Sequence, residues 1–213
     1  MSILMRAPEE CASWEWELNE FASPGLDSAL MAAAQISELL CQHHLLDPNA
    51  LEWMWAVYGF GGVGVITKLP VTGKLDEVEL AQRIEQSRPS GFPDAKVGAI
   101  TISGRGAWFD AEGEQRHEAD LVTLTVSPDE HHLSAEVAVF HDIWGYFNFK
   151  GVPHPEIQRR NAPRLAAALR ALESLLGATA RPGDPTYFGC AEGYGIEMPD
   201  MIDGLGPDLT DRL

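Results

Sequence analysis

Four short segments between Lys96 and Trp144, "KVGAITIS", "GAWFDA", "HEADLVTLTV" and "HLSAEVAVFHDIW", are rich in β-forming residues and are parted by Gly, Pro, Asp and Glu turn residues. Strands so closely spaced point to an antiparallel meander. In the third, Val122, Leu124 and Val126 fall on one face and Thr123 and Thr125 on the other, as a sheet with one side on a core requires.

The flanking segments supply the other layer. "DSALMAAAQISELLCQHHLL", Asp27 to Leu46, is made of helix formers, with Asp27 or Ser28 as cap and Asp47-Pro48 as stop. His43 and His44 fall in its last turn, where a protonated imidazole would complement the helix dipole. "EWMWAVYG" alternates Trp53, Trp55 and Val57 against Met54, Ala56 and Tyr58 and reads as a strand. "DEVELAQRIEQSR" has Asp76 and Glu79 at capping-box spacing and ends before Pro89. "NAPRLAAALRALESLLG" places Asn161 as cap, Pro163 in the first turn and Gly177 just past the end. The expected architecture is α+β, an antiparallel sheet of about five to six strands covered on one side by about two or three helices. Residues 1–177 should form one domain. Residues 178–213, dense in Gly, Pro and Asp, should form an irregular acidic tail that is packed on the domain or partly disordered, with Tyr187, Phe188, Tyr194, Ile196 and Met198 able to pin it.

"VYGFGGVGVITK" contains Gly59, Gly61 and Gly64 in the order G-x-G-x-x-G. That fingerprint holds a pyrophosphate only when its third glycine opens a helix whose free amides face the anion. Here "VITKLPVTG" follows, β-branched and interrupted by Pro70, so a glycine-rich hairpin or bulge is expected instead. No Walker A loop is present, and no cofactor is indicated.

Fifteen Lys+Arg against 32 Asp+Glu leave a formal charge of -17. Such a chain repels phosphate backbones, so nucleic acid is not an expected partner, whereas a basic protein surface is. Cys11, Cys41 and Cys190 are odd in number and form no C-x-x-C pair, which fits a reducing compartment. The opening "MSILMRAPEECASWEWE" lacks an apolar run, and no segment has the length of a membrane span, so a cytoplasmic, unanchored protein is expected. Arg in excess of Lys, with abundant Ala, Gly and Pro, suggests a GC-rich bacterial origin.

Candidate chemistry gathers at the end of the meander. His131, His132, His141 and Asp142 are all metal-competent, yet a strand between His132 and His141 would separate them by roughly 30 Å at about 3.3 Å per residue. No metal site is therefore assigned. His141 and Asp142 remain as base and orienter, and Cys190 in "YFGCAEGYG" is the leading nucleophile if they approach it. "FHDIWGYFNFKG" concentrates aromatic residues of the kind enriched in binding sites. As a strand it would place Trp144, Tyr146 and Asn148 on one side and Ile143, Phe147 and Phe149 on the other, so Trp144, Tyr146 and Asn148, with Tyr187 from the tail, are the binding candidates.

Two functions follow as expectations. The first is a non-catalytic acidic binding protein of the bacterial immunity type, neutralising a basic partner. The alternative is an enzyme or small-ligand-binding protein with a cleft near residues 140–151, using His141 and Asp142.

Overall fold

The computed structural model describes residues 4–57, 59–129 and 131–213; Tyr58, expected in a strand, lies outside them. The chain is α+β, with one large antiparallel sheet and three helices. Its strands are β1 (Ala12–Glu17), β2 (Asp47–Val57), β3 (Gly61–Pro70), β4 (Lys96–Phe109), β5 (Gln115–Ala119), β6 (Val122–Pro128), β7 (Leu133–Val139) and β8 (Arg181–Pro182). Its helices are α1 (Leu26–Gln42), α2 (Val78–Gln86) and α3 (Pro155–Leu176). A second ribbon of two strands, β9 (Ala191–Glu192) and β10 (Gly195–Ile196), stands apart.

The sheet has 8 strands rather than five or six, in the order β3-β2-β4-β6-β7-β1-β8, with β5 beside β4. The shortfall has definite causes. β1 and β8 join from distant parts of the chain, Ala12 pairing with Val139 and Glu15 with Arg181, so no hairpin links either to its partner. "KVGAITIS" and "GAWFDA", expected as separate strands, are one 14-residue strand whose first part pairs with β2 and β6 and whose last part pairs with β5. Gly104 and Gly106 permit this continuity, because a side chain at either would collide with the crossing backbone at Asp47 or Leu45.

The glycine-rich stretch makes the turn between β2 and β3. Gly59, Gly61 and Gly64 all have positive φ, a region open to glycine, and Val65 continues as strand paired to β2. No helix opens after Gly64.

One face of the sheet carries the core. Trp14 and Trp16 of β1, Trp53 and Trp55 of β2, and Ile100 and Ile102 of β4 are buried with residues of α1 and α3 in a single apolar cluster. Full burial of such side chains stabilises by about 1.5–3 kcal/mol each. The other face is polar. Pairing aligns Lys68, Glu52, Thr101, Thr125, Glu136 and Glu15 in one row across it, ending at Arg181.

Helix boundaries differ from expectation at several places: α1 opens after Gly25, with Asp27 and Ser28 already inside its first turn, and α2 opens after Glu77 rather than at Asp76, with no side-chain cap at either. α1 ends at Gln42, and the carbonyls of His43 and His44 accept hydrogen bonds from the Arg164 guanidinium at 3.1 and 3.4 Å. Burial and Arg164 lower the His43 pKa, and the cation that meets the carbonyls at this helix end is the Arg164 guanidinium. α3 begins at Pro155, which places Asn161 and Pro163 inside it. Asn161 is not a cap: it is fully buried, and its side chain takes both the N–H and the carbonyl of Phe109 on β4.

Beyond α3 the chain runs back over the domain. Tyr194 donates to Glu173 at 2.6 Å, Trp14 Nε1 donates to the Gly193 carbonyl at 2.7 Å, and Phe188 is buried. Gly206 N–H bonds the Gly151 carbonyl, and Leu209 N–H bonds that of Phe149. Among the described residues, no helix is long and apolar enough to cross a membrane.

Candidate functional site

β7 ends at Val139, and the next residues turn off the sheet. His141 forms an isolated bridge with Arg6, and Asp142–Trp144 make a single 3-10 turn. The alternation expected of a strand therefore does not govern this segment. Trp144 points into the main core, whereas Tyr146, Phe147, Asn148 and Phe149 all reach the same cleft. The turn is held from α3's entrance by His154, whose Nε2 lies 3.1 Å from the carbonyls of Asp142 and Gly145. Both partners only accept, so this nitrogen carries the proton. Sequence spacing gave His154 no role; the chain reversal at 145–153 supplies one.

The cleft has a volume of about 420 Å³, within the range of small-molecule pockets. It is bounded by the 141–149 segment on one side and the C-terminal segment on the other, with Cys11 from the N-terminal strand region also in its wall. Its aromatic residues are Tyr146, Phe147, Phe149, Tyr187 and Phe188. Tyr146 meets Phe147 edge-on at 4.9 Å, and Phe149 meets Phe188 edge-on at 5.4 Å, so the rings form braced pairs. Asn148 does not use its amide oxygen on the cleft: Oδ1 accepts the N–H groups of Lys150 and Val152, each at 3.0 Å, and fixes the loop.

Of the seven residues singled out from sequence, six line this cleft: His141, Asp142, Tyr146, Asn148, Tyr187 and Cys190. Trp144 is the exception. His141 and Asp142 are 2% and 3% exposed, and among the described residues the Nδ1 of one and the Oδ2 of the other have no hydrogen-bond partner. The other carboxyl oxygen, Oδ1, accepts the Met5 N–H at 3.2 Å. Burial pushes the Asp142 carboxyl up to about 7, against the backbone N–H groups of Met5 and Phe149 that favour its charge. Burial, and secondarily Arg6, brings the His141 imidazole down to about 4. Near neutral pH the site thus holds an uncharged imidazole beside a carboxyl able to gain or lose its proton.

The two thiols differ. Cys11 is buried, its Sγ 3.9 Å from the His141 carbonyl, and burial together with Asp142 raises its pKa and keeps it protonated. Cys190 is half-buried in the cleft wall, and its Sγ lies 3.5 Å from the Ala191 carbonyl. β7 separates His132 from His141, and His132 meets Asn19 instead. Among the described residues, no three or more His, Cys, Asp and Glu side chains are grouped to hold a metal ion.

No protein-family model, no curated protein and no solved structure matches the chain.

Proposed function

We propose that the protein binds a small organic molecule in the cleft between residues 141–149 and the C-terminal segment, with Asp142 and His141 as its polar anchors. One observation carries this reading: an aromatic-lined cleft of about 420 Å³ has two almost completely buried polar side chains, His141 and Asp142, in its lining, each with a polar atom that has no partner among the described residues. An unmet buried polar group costs about 1–3 kcal/mol, and a ligand that satisfies it recovers that loss. The same pair can exchange a proton with a bound molecule near neutral pH, which gives the site acid–base capacity without a charged nucleophile.

The test uses Cys190. In a Cys41→Ser chain, a fragment mixture is screened by ligand-observed NMR before and after Cys190 is alkylated with a bulky maleimide. Aromatic fragments should bind, and alkylation should abolish their binding. Fragments that bind equally well after alkylation, or an empty screen, would remove the reading.

A second reading, a basic protein partner, is supported by the polar sheet face. Glu15 and Glu136 are neighbours there without a cation between them, and the chain carries a formal charge of -17. Titrating the labelled protein with an oligolysine peptide should shift amides of β1 and β7 at low salt and lose the effect as salt is raised. Shifts spread evenly over the surface would count against a defined face.

A further inference from the structure

We infer that the cleft selects an organic cation, an amine or guanidinium group carried on an aromatic or apolar body. This rests on the cleft being the working site and adds the class of molecule it takes. Three carboxyl groups stand in the wall: Asp142 at the buried end, and the exposed Glu197 and Asp200 contributed by the C-terminal segment. Among the described residues, no Lys or Arg lines the cleft. Anionic guests would meet like charge with no cation in the lining to offset it.

The buried end specifies a hydrogen-bond donor. Asp142 has used Oδ1 on the Met5 N–H, and among the described residues its buried Oδ2 has no partner, nor has the buried Nδ1 of His141 beside it. An ammonium or guanidinium head carries several N–H donors and a positive charge, and complements the free acceptor capacity of the Asp142 carboxyl. The aromatic residues of the wall then give apolar area to its body, and rings of this kind attract a cation. One of them already attracts a cation of this chain: the Arg212 guanidinium carbon lies 4.7 Å from the centre of the Tyr187 ring. Arg212, Arg6 over Phe140 and Lys150 near Asp208 are the neighbouring cations, and none is part of the lining.

Three probes of nearly the same shape separate charge from fit: tyramine, para-ethylphenol and para-hydroxyphenylpropionate. Affinity is read by ligand-observed NMR and by protection of Cys190 from alkylation in the Cys41→Ser chain. Tyramine should bind at least about 10-fold tighter than para-ethylphenol, and the carboxylate should bind weakest of the three. Substituting Glu197→Gln with Asp200→Asn, both at exposed positions, should reduce tyramine affinity about 3- to 10-fold and leave para-ethylphenol unchanged. Asp142→Asn should abolish most of the remaining preference. Equal or tighter binding of the neutral or anionic probe would overturn the cation assignment and leave the cleft reading standing. Failure of all three probes to bind or to protect Cys190 would overturn both.

Discussion

Glu15 and Glu136 stand directly opposite each other on β1 and β7, two like charges in cross-strand register on the polar face of the sheet. Burial, Glu10 and Glu15 all raise the Glu136 pKa. In the folded chain this carboxyl holds its proton to higher pH than in the unfolded chain, so its ionisation opposes folding as pH rises through that interval. Glu136→Gln should therefore stabilise the protein by about 0.2–1 kcal/mol at pH 7. The gain should shrink at acid pH. Urea unfolding of parent and variant at both pH values measures it, and equal midpoints at pH 7 would show that the pair is not repulsive.

His141 and Asp142 should impose opposite pH dependences on stability. With Asp142 at about 7 when folded, against an ordinary carboxyl value of about 4, its contribution falls as pH rises from about 4 to about 7. With His141 at about 4 when folded, against about 6.5, its contribution rises over about pH 4 to 6.5. Each slope is at most about 1.4 kcal/mol per pH unit, and in the parent they largely cancel. Asp142→Asn should remove the falling component and His141→Gln the rising one. Stability curves of the two variants, taken relative to the parent, should therefore tilt in opposite directions; flat differences would show that neither group is perturbed.

Asn161 joins α3 to β4 by two hydrogen bonds, both to Phe109, and its amide also donates to the Ile157 carbonyl within α3. Asn161→Ala would leave the Phe109 N–H and carbonyl unmet at a buried place and should cost about 2–4 kcal/mol in denaturant unfolding. Asn161→Asp keeps the acceptor, loses the donors and adds a buried charge, so it should not rescue. A loss under about 0.5 kcal/mol for the alanine variant would mean that Phe109 finds other partners.

The three thiols should react with iodoacetamide in a fixed order. Cys41 is exposed, Cys190 half-buried and Cys11 buried with a raised pKa. Mass spectrometry of the folded protein at pH 8 should find Cys41 modified first, Cys190 next and Cys11 only after unfolding. Modification of Cys11 at the rate of Cys190 would contradict its burial.

The sheet meander and the helices were legible because each carries its period locally: Val122, Leu124 and Val126 alternate with threonines, and the end of α3 is marked by Gly177 in the left-handed region. β1 also has a period, with Trp14 and Trp16 buried and Glu15 and Glu17 less so, but the strand it pairs with lies far along the chain, Ala12 meeting Val139, and no turn announces the pairing. The start of α3 was hidden by Asn161, which has the chemistry of a cap and spends it on a strand instead. For the cleft, composition identified the 140–151 segment and Tyr187, while two features escaped. The 3-10 turn at Asp142 breaks the alternation, sending Trp144 inward and Phe147 to the cleft. Cys11 joins the wall from 130 positions before His141, a proximity that no local spacing encodes.

Gly206 lies so close to Phe147 that a Cβ there would come within 2.7 Å of the ring, and Gly151 is likewise within 2.4 Å of the Gly206 carbonyl for such an atom. Backbone rather than side chain is thus laid flat against one bank of the cleft. A chain cut before Gly206 would keep the strands and the three helices but lose the backbone that settles against Phe147 and Phe149, so the proposed receptacle would stand open along one bank.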